Sequence, residues 1–170
     1  TDTFGGLGAH SSGCGTNAPV VVTCGTTLSV VQGSTSTRTV TAADADGTVT
    51  SLVVTSVTPS PSAGTISRTS FTPAALAGAT AQATVTVDSG VPAGSYAVLM
   101  TAENNDLTLQ TGTCTLTVSV IGLKEIWEIQ GGGLASPLAG QTVRTENNIV
   151  TALAFNATSQ TFNGFFIQTP

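Results

Sequence analysis

From Val20 to Val120, short runs rich in Val and Thr alternate with turn-forming residues, which is the pattern of consecutive β-strands. The predicted strand segments are Val20–Val31, Ser36–Ala43, Thr48–Val57, Ala79–Val87, Ser95–Glu103 and Thr111–Val120. About six or seven short strands in roughly a hundred residues is the size of an immunoglobulin-like domain. We therefore predict an all-β chain in which residues 20–121 form an immunoglobulin-like β-sandwich.

In two of these runs, apolar residues occupy every second position. They are Ala83, Val85 and Val87 in one run, and Leu116, Val118 and Val120 in the other. Because successive side chains along a strand point to opposite faces, each run would bury one face and expose its Thr and Ser residues. The turn of residues 91–94 ahead of Tyr96 predicts the start of the penultimate strand, where Tyr96 would anchor the corner.

Charge and hydropathy exclude two classes of function. The chain carries a formal net charge of −5, and its only cations are Lys124, Arg38, Arg68 and Arg144. So few cations cannot neutralise a phosphate backbone, and we expect no direct nucleic-acid binding. No apolar run approaches the ~20 residues needed to cross a bilayer, so we expect no membrane span.

The cysteine usage indicates a compartment. The three cysteines form no CxxC pair, and His10 is the single histidine, so an oxidising compartment fits better than a metal site. No charged-then-apolar leader opens the sequence, and we interpret Thr1 as an internal or processed start. We expect a protein that is secreted, extracellular or held at the cell surface.

Cys24 lies at the start of the predicted sandwich and Cys114 lies in its last strand. The first and last strands lie side by side in such a fold, so we predict a disulfide between them; two buried thiols are the alternative. The bond would close a loop of about ninety residues and stabilise the fold by roughly 4 kcal/mol in the chain-entropy model. Cys14 is left over, to pair upstream of Thr1 or to stay free.

Two predicted turns carry oxygen-bearing side chains that would meet at one end of the sandwich. Asp44 and Asp46 belong to the first turn, and Asn104 and Asp106 to the second. Calcium takes roughly six to eight oxygen ligands at ~2.3–2.6 Å, so a calcium site is one interpretation, and calcium is the only cofactor that the sequence suggests. We favour the other interpretation, in which these residues form turns through hydrogen bonds to their own backbone.

The residues ahead of the sandwich form a different kind of segment. Residues 1–19 are rich in glycine and show little alternation, which predicts a linker or a strap on a neighbouring domain. His10, Ser11 and Ser12 adjoin there. A nucleophile and its base need a third orienting group and a pocket, which the sequence does not indicate, so we interpret the three as loop residues.

The residues after the sandwich predict the start of a second β unit. We expect a strand that buries Trp127 in a core, with a ligand-stacking aromatic as the alternative. Further strand-like stretches follow at Thr142–Arg144, Ile149–Phe155 and Gly164–Gln168. So few strands cannot close a barrel, and their edges would need a partner.

Two blocks in this region carry a family resemblance. They are Ser-Pro-Leu-Ala-Gly-Gln at residues 136–141 and Gly-Phe-Phe-Ile-Gln at residues 164–168. They resemble the OB-fold-like domain that precedes the catalytic domain in large secreted bacterial nucleases of the endonuclease/exonuclease/phosphatase superfamily. The residues before it, from Asp2–Gly8 through the strands of Cys24 and Cys114, look similar to the region ahead of that domain.

The resemblance implies that residues 122–170 are the N-terminal strands of a truncated OB-fold-like domain. The metal-binding carboxylates and catalytic histidines of the phosphodiesterase domain would lie beyond Pro170, so no catalytic residue is carried over to this chain. The implied role is a non-catalytic scaffold that positions the catalytic domain, with the adjacent domains of the same polypeptide as its partners.

Two other functions remain open. The chain would serve as a structural subunit of a filament, surface layer or larger complex if its C-terminal strands pair with neighbouring copies. It would serve as a calcium-dependent adhesion or carbohydrate-binding module if Asp44, Asp46 and Asp106 hold calcium. An independent enzyme is not expected.

Overall fold

The structure, a computed structural model, describes residues 17–156, 158–159 and 161–168. These residues form ten β-strands and one short helix. In chain order the elements are β1 (Val21–Thr23), β2 (Leu28–Val31), β3 (Ser36–Ala43), β4 (Val49–Thr58), β5 (Ile66–Thr72), β6 (Thr80–Val87), β7 (Gly94–Asn104), β8 (Thr111–Ile121), α1 (Ile126–Gln130), β9 (Ile149–Asn156) and β10 (Thr161–Gln168). Most of the predicted strap, including His10 and Cys14, lies outside the described residues, as do Ser11 and Ser12.

The first eight strands form two four-stranded sheets. One sheet has the order β1-β3-β6-β5, and the other has the order β2-β8-β7-β4. Neighbouring strands are antiparallel except β2 and β8, which are parallel. This is the strand arrangement of an immunoglobulin-like sandwich whose first strand is divided between the sheets. The predictions of an all-β chain and of an immunoglobulin-like sandwich are confirmed.

Small side chains fill the core between the two sheets. Leu52, Met100 and Leu116 are its largest fully buried aliphatic residues, and most of the others are Val and Ala. The alternating apolar positions predicted in β6 and β8 are all buried: Ala83, Val85, Val87, Leu116, Val118 and Val120. Thr and Ser occupy most outward positions of these two strands, since their side chains lie on the opposite face.

The segment predicted as a single strand from Val20 to Val31 is two strands in different sheets. Residues 24–27 carry the chain across from β1 to β2, and Gly25 has φ 75°, which glycine adopts readily. Arg38 in β3 holds this crossing: its Nη2 donates to the Thr26 carbonyl oxygen at 2.6 Å and to the Thr27 carbonyl oxygen at 3.3 Å. The crossing therefore lets one stretch of chain supply an edge strand to each sheet, β1 to one and β2 to the other.

The strand β5 was not predicted from the sequence. It pairs with β6, and the register shifts between Arg68 and Ser70. Because of this bulge, Ile66 and Phe71 both contact the core although five positions separate them. The strand therefore breaks the two-residue period by which strands are predicted. The strand β4, at the edge of the other sheet, shifts register in the same way between Val54 and Ser56.

Tyr96 anchors the start of β7, as predicted. Its side chain is buried, and its hydroxyl donates to the Pro92 carbonyl oxygen at 2.9 Å. A hydroxyl bond back to the backbone four residues upstream is the tyrosine corner of immunoglobulin-like domains. It fixes the turn that leads into the longest pair of strands, β7 and β8.

The prediction of a strand with a buried Trp127 is wrong. Residues 126–130 form the helix α1, and Trp127 is 70% exposed while Ile126 is buried. The Glu128 carboxylate accepts a bond of 2.9 Å from the Glu125 backbone N–H and contacts the Lys124 ammonium at 3.1 Å. These local bonds stabilise the first turn of a helix, which explains why the segment is helical and does not form the extended strand that was predicted.

The remaining residues form little regular structure until the hairpin of β9 and β10. The predicted strand at Thr142–Arg144 is reduced to one bridge between Arg144 and Leu123. β9 and β10 pair with each other as a separate antiparallel sheet. An OB-fold-like domain at residues 122–170 therefore stays a prediction.

In the part of the chain that the structure describes, the single helix is far too short to cross a bilayer.

Candidate functional site

The four residues predicted to share one end of the sandwich do so. Asp44 directly follows β3 and Asp46 lies in the loop between β3 and β4, whereas Asn104 ends β7 and Asp106 lies in the loop between β7 and β8. One carboxylate oxygen from each of the three aspartates lies within 4.8 Å of those of the other two. We call these four residues the acidic cluster.

Asn104 lies between two carboxylates of the acidic cluster. Its Nδ2 donates to Asp44 Oδ2 at 2.7 Å and to Asp106 Oδ2 at 2.8 Å. Its Oδ1 accepts from the Gln110 backbone N–H at 2.8 Å. Asn104 and Asp44 are 2% and 1% exposed, so the bond between these two side chains forms away from solvent, whereas Asp106 is half-buried. The amide nitrogen therefore supplies the positive end of a dipole where a cation would otherwise compensate the charges.

The cluster shifts the pKa values of Asp44 and Asp106 in opposite directions. The hydrogen bond from Asn104 lowers the pKa of Asp44, against the effect of burial, and the backbone N–H groups of Asp46 and Gly47 lower it further. Desolvation raises the pKa of Asp106, and the negative charges of Asp44 and Asp46 add to that rise. Asp44 is therefore held as the anion, whereas ionisation of Asp106 is disfavoured.

Gly47 allows the carboxylates to approach the loop backbone. A β-carbon at this position would stand 2.5 Å from Asp106 Oδ1 and 2.6 Å from Asp44 Oδ2, so the loop leaves space for hydrogen alone. The loop is also bonded to its neighbour, because the Thr48 N–H donates to Asn105 Oδ1 at 3.0 Å and the Asn105 N–H donates to the Thr48 carbonyl oxygen at 3.1 Å. The two loops therefore form one unit.

This unit also holds the chain as it enters the sandwich. The Ala18 backbone N–H donates to both carboxylate oxygens of Asp46, at 3.0 and 3.1 Å. Asn17 Nδ2 donates to the Thr108 carbonyl oxygen at 3.1 Å, and Gln110 Nε2 donates to the Asn17 carbonyl oxygen at 3.4 Å. Sequence reasoning did not identify these contacts, because bonds between loop backbones and polar side chains follow no periodic pattern in the sequence.

The donor set fits calcium only in part. The three aspartates offer the hard oxygen ligands that calcium takes. The side-chain amide of Asn104, in contrast, presents nitrogen, and turning its oxygen inward would break the bond from Gln110. A calcium site at Asp44, Asp46, Asn104 and Asp106 therefore stays a prediction.

The predicted disulfide is confirmed. Cys24, in the crossing between β1 and β2, is bonded to Cys114 in β8, with 5.8 Å between their Cα atoms and 90 positions between them in sequence. The bond joins the residue that directly follows the entry strand β1 to the last strand of the sandwich, β8. It lies near the end of the sandwich that holds the acidic cluster, because Cys114 is close to the start of β8.

Comparisons with known proteins add little to this geometry. No family model matches the chain, and no curated protein matches it. Among solved structures, the ASH / PapD-like domain of human CEP192 (PapD-like domain 7) is similar, with 15% sequence identity and a TM-score of 0.37. The match covers 64% of this chain and 89% of that one. A likeness at this level carries no inference, and the fold assignment rests on the strand order described above.

Proposed function

We propose that the chain is a non-catalytic spacer of a secreted protein, which holds the units on its two sides at opposite ends of a rigid sandwich. The path of the chain supports this role. Val20 lies against Gly112 at the start of β8, whereas Val31 is paired with Ile121 at its end. Residues 20–31 therefore run beside β8 in the same direction, and entry and exit lie at opposite ends of the sandwich.

The separation of entry and exit follows from the length of β8. This strand has 11 residues, and at ~3.4 Å per residue it spans about 35 Å. Both ends are fixed to the body of the sandwich. The acidic cluster holds Ala18 at entry, and the Gln32 N–H donates to the Ile121 carbonyl oxygen at 2.9 Å at exit. A unit attached at either end would thus keep a constant distance from the other.

We propose a secreted bacterial nuclease as the parent polypeptide, on the strength of the two blocks at residues 136–141 and 164–168. In that role the sandwich spaces a catalytic domain from an upstream module. The net charge of −5 fits a division of labour in which other parts of the polypeptide contact the nucleic acid.

The experiment compares the natural full-length polypeptide with a variant in which residues 20–121 are replaced by a flexible Gly/Ser linker. We expect phosphodiesterase activity from the full-length protein, none from residues 1–170 alone, and a decrease in activity on polymeric DNA in the linker variant. A gene that encodes no nuclease domain beside this chain would exclude the nuclease as parent. Unchanged activity in the linker variant would exclude the spacing role.

A second candidate function is assembly with neighbouring copies, and the β9–β10 hairpin favours it. Four of its described apolar residues are exposed: Ile149, Val150, Leu153 and Phe166. An exposed apolar two-stranded sheet is marginally stable alone and gains from pairing. Light scattering on the purified chain tests this function, because a strict monomer at all concentrations would exclude it.

A further inference from the structure

We infer that the Cys24–Cys114 disulfide makes the sandwich a tie that resists tension between its two ends. This inference rests on the proposed spacing function. A pull on the flanking chain would pass through β1, across the disulfide and along β8 to Ile121. Residues 25–113 form a covalently closed side branch that this path bypasses. The bulk of the sandwich would therefore carry little of the load.

The geometry of β8 makes this covalent path nearly inextensible. From Cys114 to Ile121 the chain is a continuous strand. A strand already rises ~3.4 Å per residue, close to the ~3.6 Å limit of a fully extended chain. On the entry side, Val21–Thr23 is also a strand and runs directly into Cys24. The path from one end of the sandwich to the other therefore holds almost no slack.

Without the disulfide, the same pull would fall on hydrogen bonds. The force would first load the three residue pairs between β1 and β3. It would then draw β2 and β8 past each other along a parallel ladder of four residue pairs, from Leu28–Val118 to Val31–Ile121. Arg38 would give a second hold through its bonds to the Thr26 and Thr27 carbonyl oxygens. Once those contacts break, nothing covalent stops the sandwich from unravelling.

The chain between the two cysteines, if fully extended, is much longer than the folded sandwich. The 90 positions between the cysteines correspond to about 310 Å of extended chain at ~3.5 Å per residue. The folded sandwich spans about 35 Å in the same direction. The bond therefore decides whether the spacer keeps its length or lengthens several-fold when its two neighbours are pulled apart.

Single-molecule stretching of the full chain, held at its two ends, tests the inference. For the oxidised protein we expect no extension step of about 310 Å. For the Cys24→Ser, Cys114→Ser double variant we expect that step. Because the double variant risks failing to fold, the wild-type chain is also folded first and then reduced with dithiothreitol, which should produce the same step.

Moving one handle supplies a matched control. When the chain is held at Ser89 and at the C-terminal end, the disulfide no longer joins the two sides of the pull, and we expect equal extensions with and without it. A step of about 310 Å in the oxidised chain held at its ends would overturn the inference.

The end-to-end distance of the sandwich without load, measured by dye pairs at residues 19 and 122, tests the spacing function separately. That distance can match the expected value even if the disulfide does not prevent extension under load.

Discussion

Gly112 in β8 lies directly against the backbone of Val20, so that a β-carbon on Gly112 would stand 2.9 Å from the Val20 carbonyl carbon and closer still to its oxygen. No side chain fits between these two backbones. The chain at the start of β1 can therefore pack against the start of β8 only because residue 112 has no side chain. This contact and the nearby disulfide fix the same region of the fold.

We predict that Gly112→Ala destabilises the sandwich by about 1–3 kcal/mol, because the rigid Val20 backbone must move to admit the methyl group. Gly132→Ala is the matched control, since a β-carbon at Gly132 meets nothing within 4 Å. Urea unfolding followed by circular dichroism measures both. Equal midpoints for the two variants would contradict the close approach.

Removing the disulfide should cost about 4–5 kcal/mol, because the bond closes a loop of 90 positions and restricts the unfolded chain. The measurement is the urea midpoint of the wild type with and without dithiothreitol. The Cys24→Ser, Cys114→Ser double variant serves as the control, since its midpoint should not respond to the reductant. A wild-type midpoint that ignores the reductant would show that the bond is not formed in solution.

The sequence identified the strands that are rich in Val and Thr, including the bulged β4, and assigned buried faces where the two-residue period is uninterrupted. β6, and β8 as far as Val120, alternate apolar and polar residues, so both could be identified and their buried faces assigned. β5 could not, because its bulge brings Ile66 and Phe71 to the same face at an odd separation. The helix α1 was missed for another reason: its apolar run resembles a strand, whereas the bonds of Glu128 that decide the conformation are local and polar.

The acidic cluster was predicted in its location and not in its bonding. Strand alternation and turn residues place Asp44 and Asp106 at the same end of the sandwich. They do not reveal that Asn104 turns its nitrogen toward both carboxylates, since that orientation depends on the Gln110 backbone N–H. Gln110 lies six positions away in a loop, where sequence patterns do not fix the backbone.

Tyr96→Phe should lower stability by about 1 kcal/mol, because the variant keeps the buried ring and loses the hydroxyl bond to Pro92. For a domain of about 100 residues this corresponds to a decrease in Tm of roughly 4–8 °C. Ser70→Ala removes an exposed hydroxyl pair with Thr84 and should leave Tm almost unchanged. Similar decreases in both variants would contradict a specific role for the corner.

The opposite pKa shifts predict opposite effects of removing charge from the acidic cluster. The pKa of Asp44 is lowered, so its contribution to stability is present above its ordinary value of 3.8 and is lost as the pH falls through the lowered folded-state value. The pKa of Asp106 is raised, so ionisation costs stability once the pH rises through the raised folded-state value. At pH 7 we expect Asp44→Asn to lower Tm and Asp106→Asn to raise it.

Thermal melts at pH values from about 2 to 7 measure both effects, and each variant is the control for the other. The Asp106→Asn difference should shrink first as the pH falls, because the raised pKa means that the Asp106 carboxyl is protonated at a higher pH. The Asp44→Asn difference should shrink below pH 3.8 and disappear as the pH falls through the lowered folded-state pKa of Asp44. Changes of the same sign at pH 7 would contradict the arrangement in which the Asn104 bond lowers the pKa of Asp44 while desolvation and repulsion raise the pKa of Asp106.

Calcium is tested by the same melts. Because Asn104 already compensates the carboxylates, we expect a chelator to leave the Tm of the wild type unchanged. Calcium at one hundred times its dissociation constant would instead add about 2.7 kcal/mol of stability. A rise in Tm with calcium chloride that Asp46→Asn abolishes would establish the calcium site and reverse the present expectation.

The four edges of the sandwich are poor templates for ordered aggregation, although the chain carries few charges to oppose it. The edge strands β1 and β2 have only 3 and 4 residues, and the edge strands β4 and β5 each change register partway along. A foreign strand could form only a few bonds on either short edge, and would lose its alignment at either bulge. At these four edges, short strands and backbone bulges would therefore oppose amyloid-like stacking, as lysine side chains do in other β proteins.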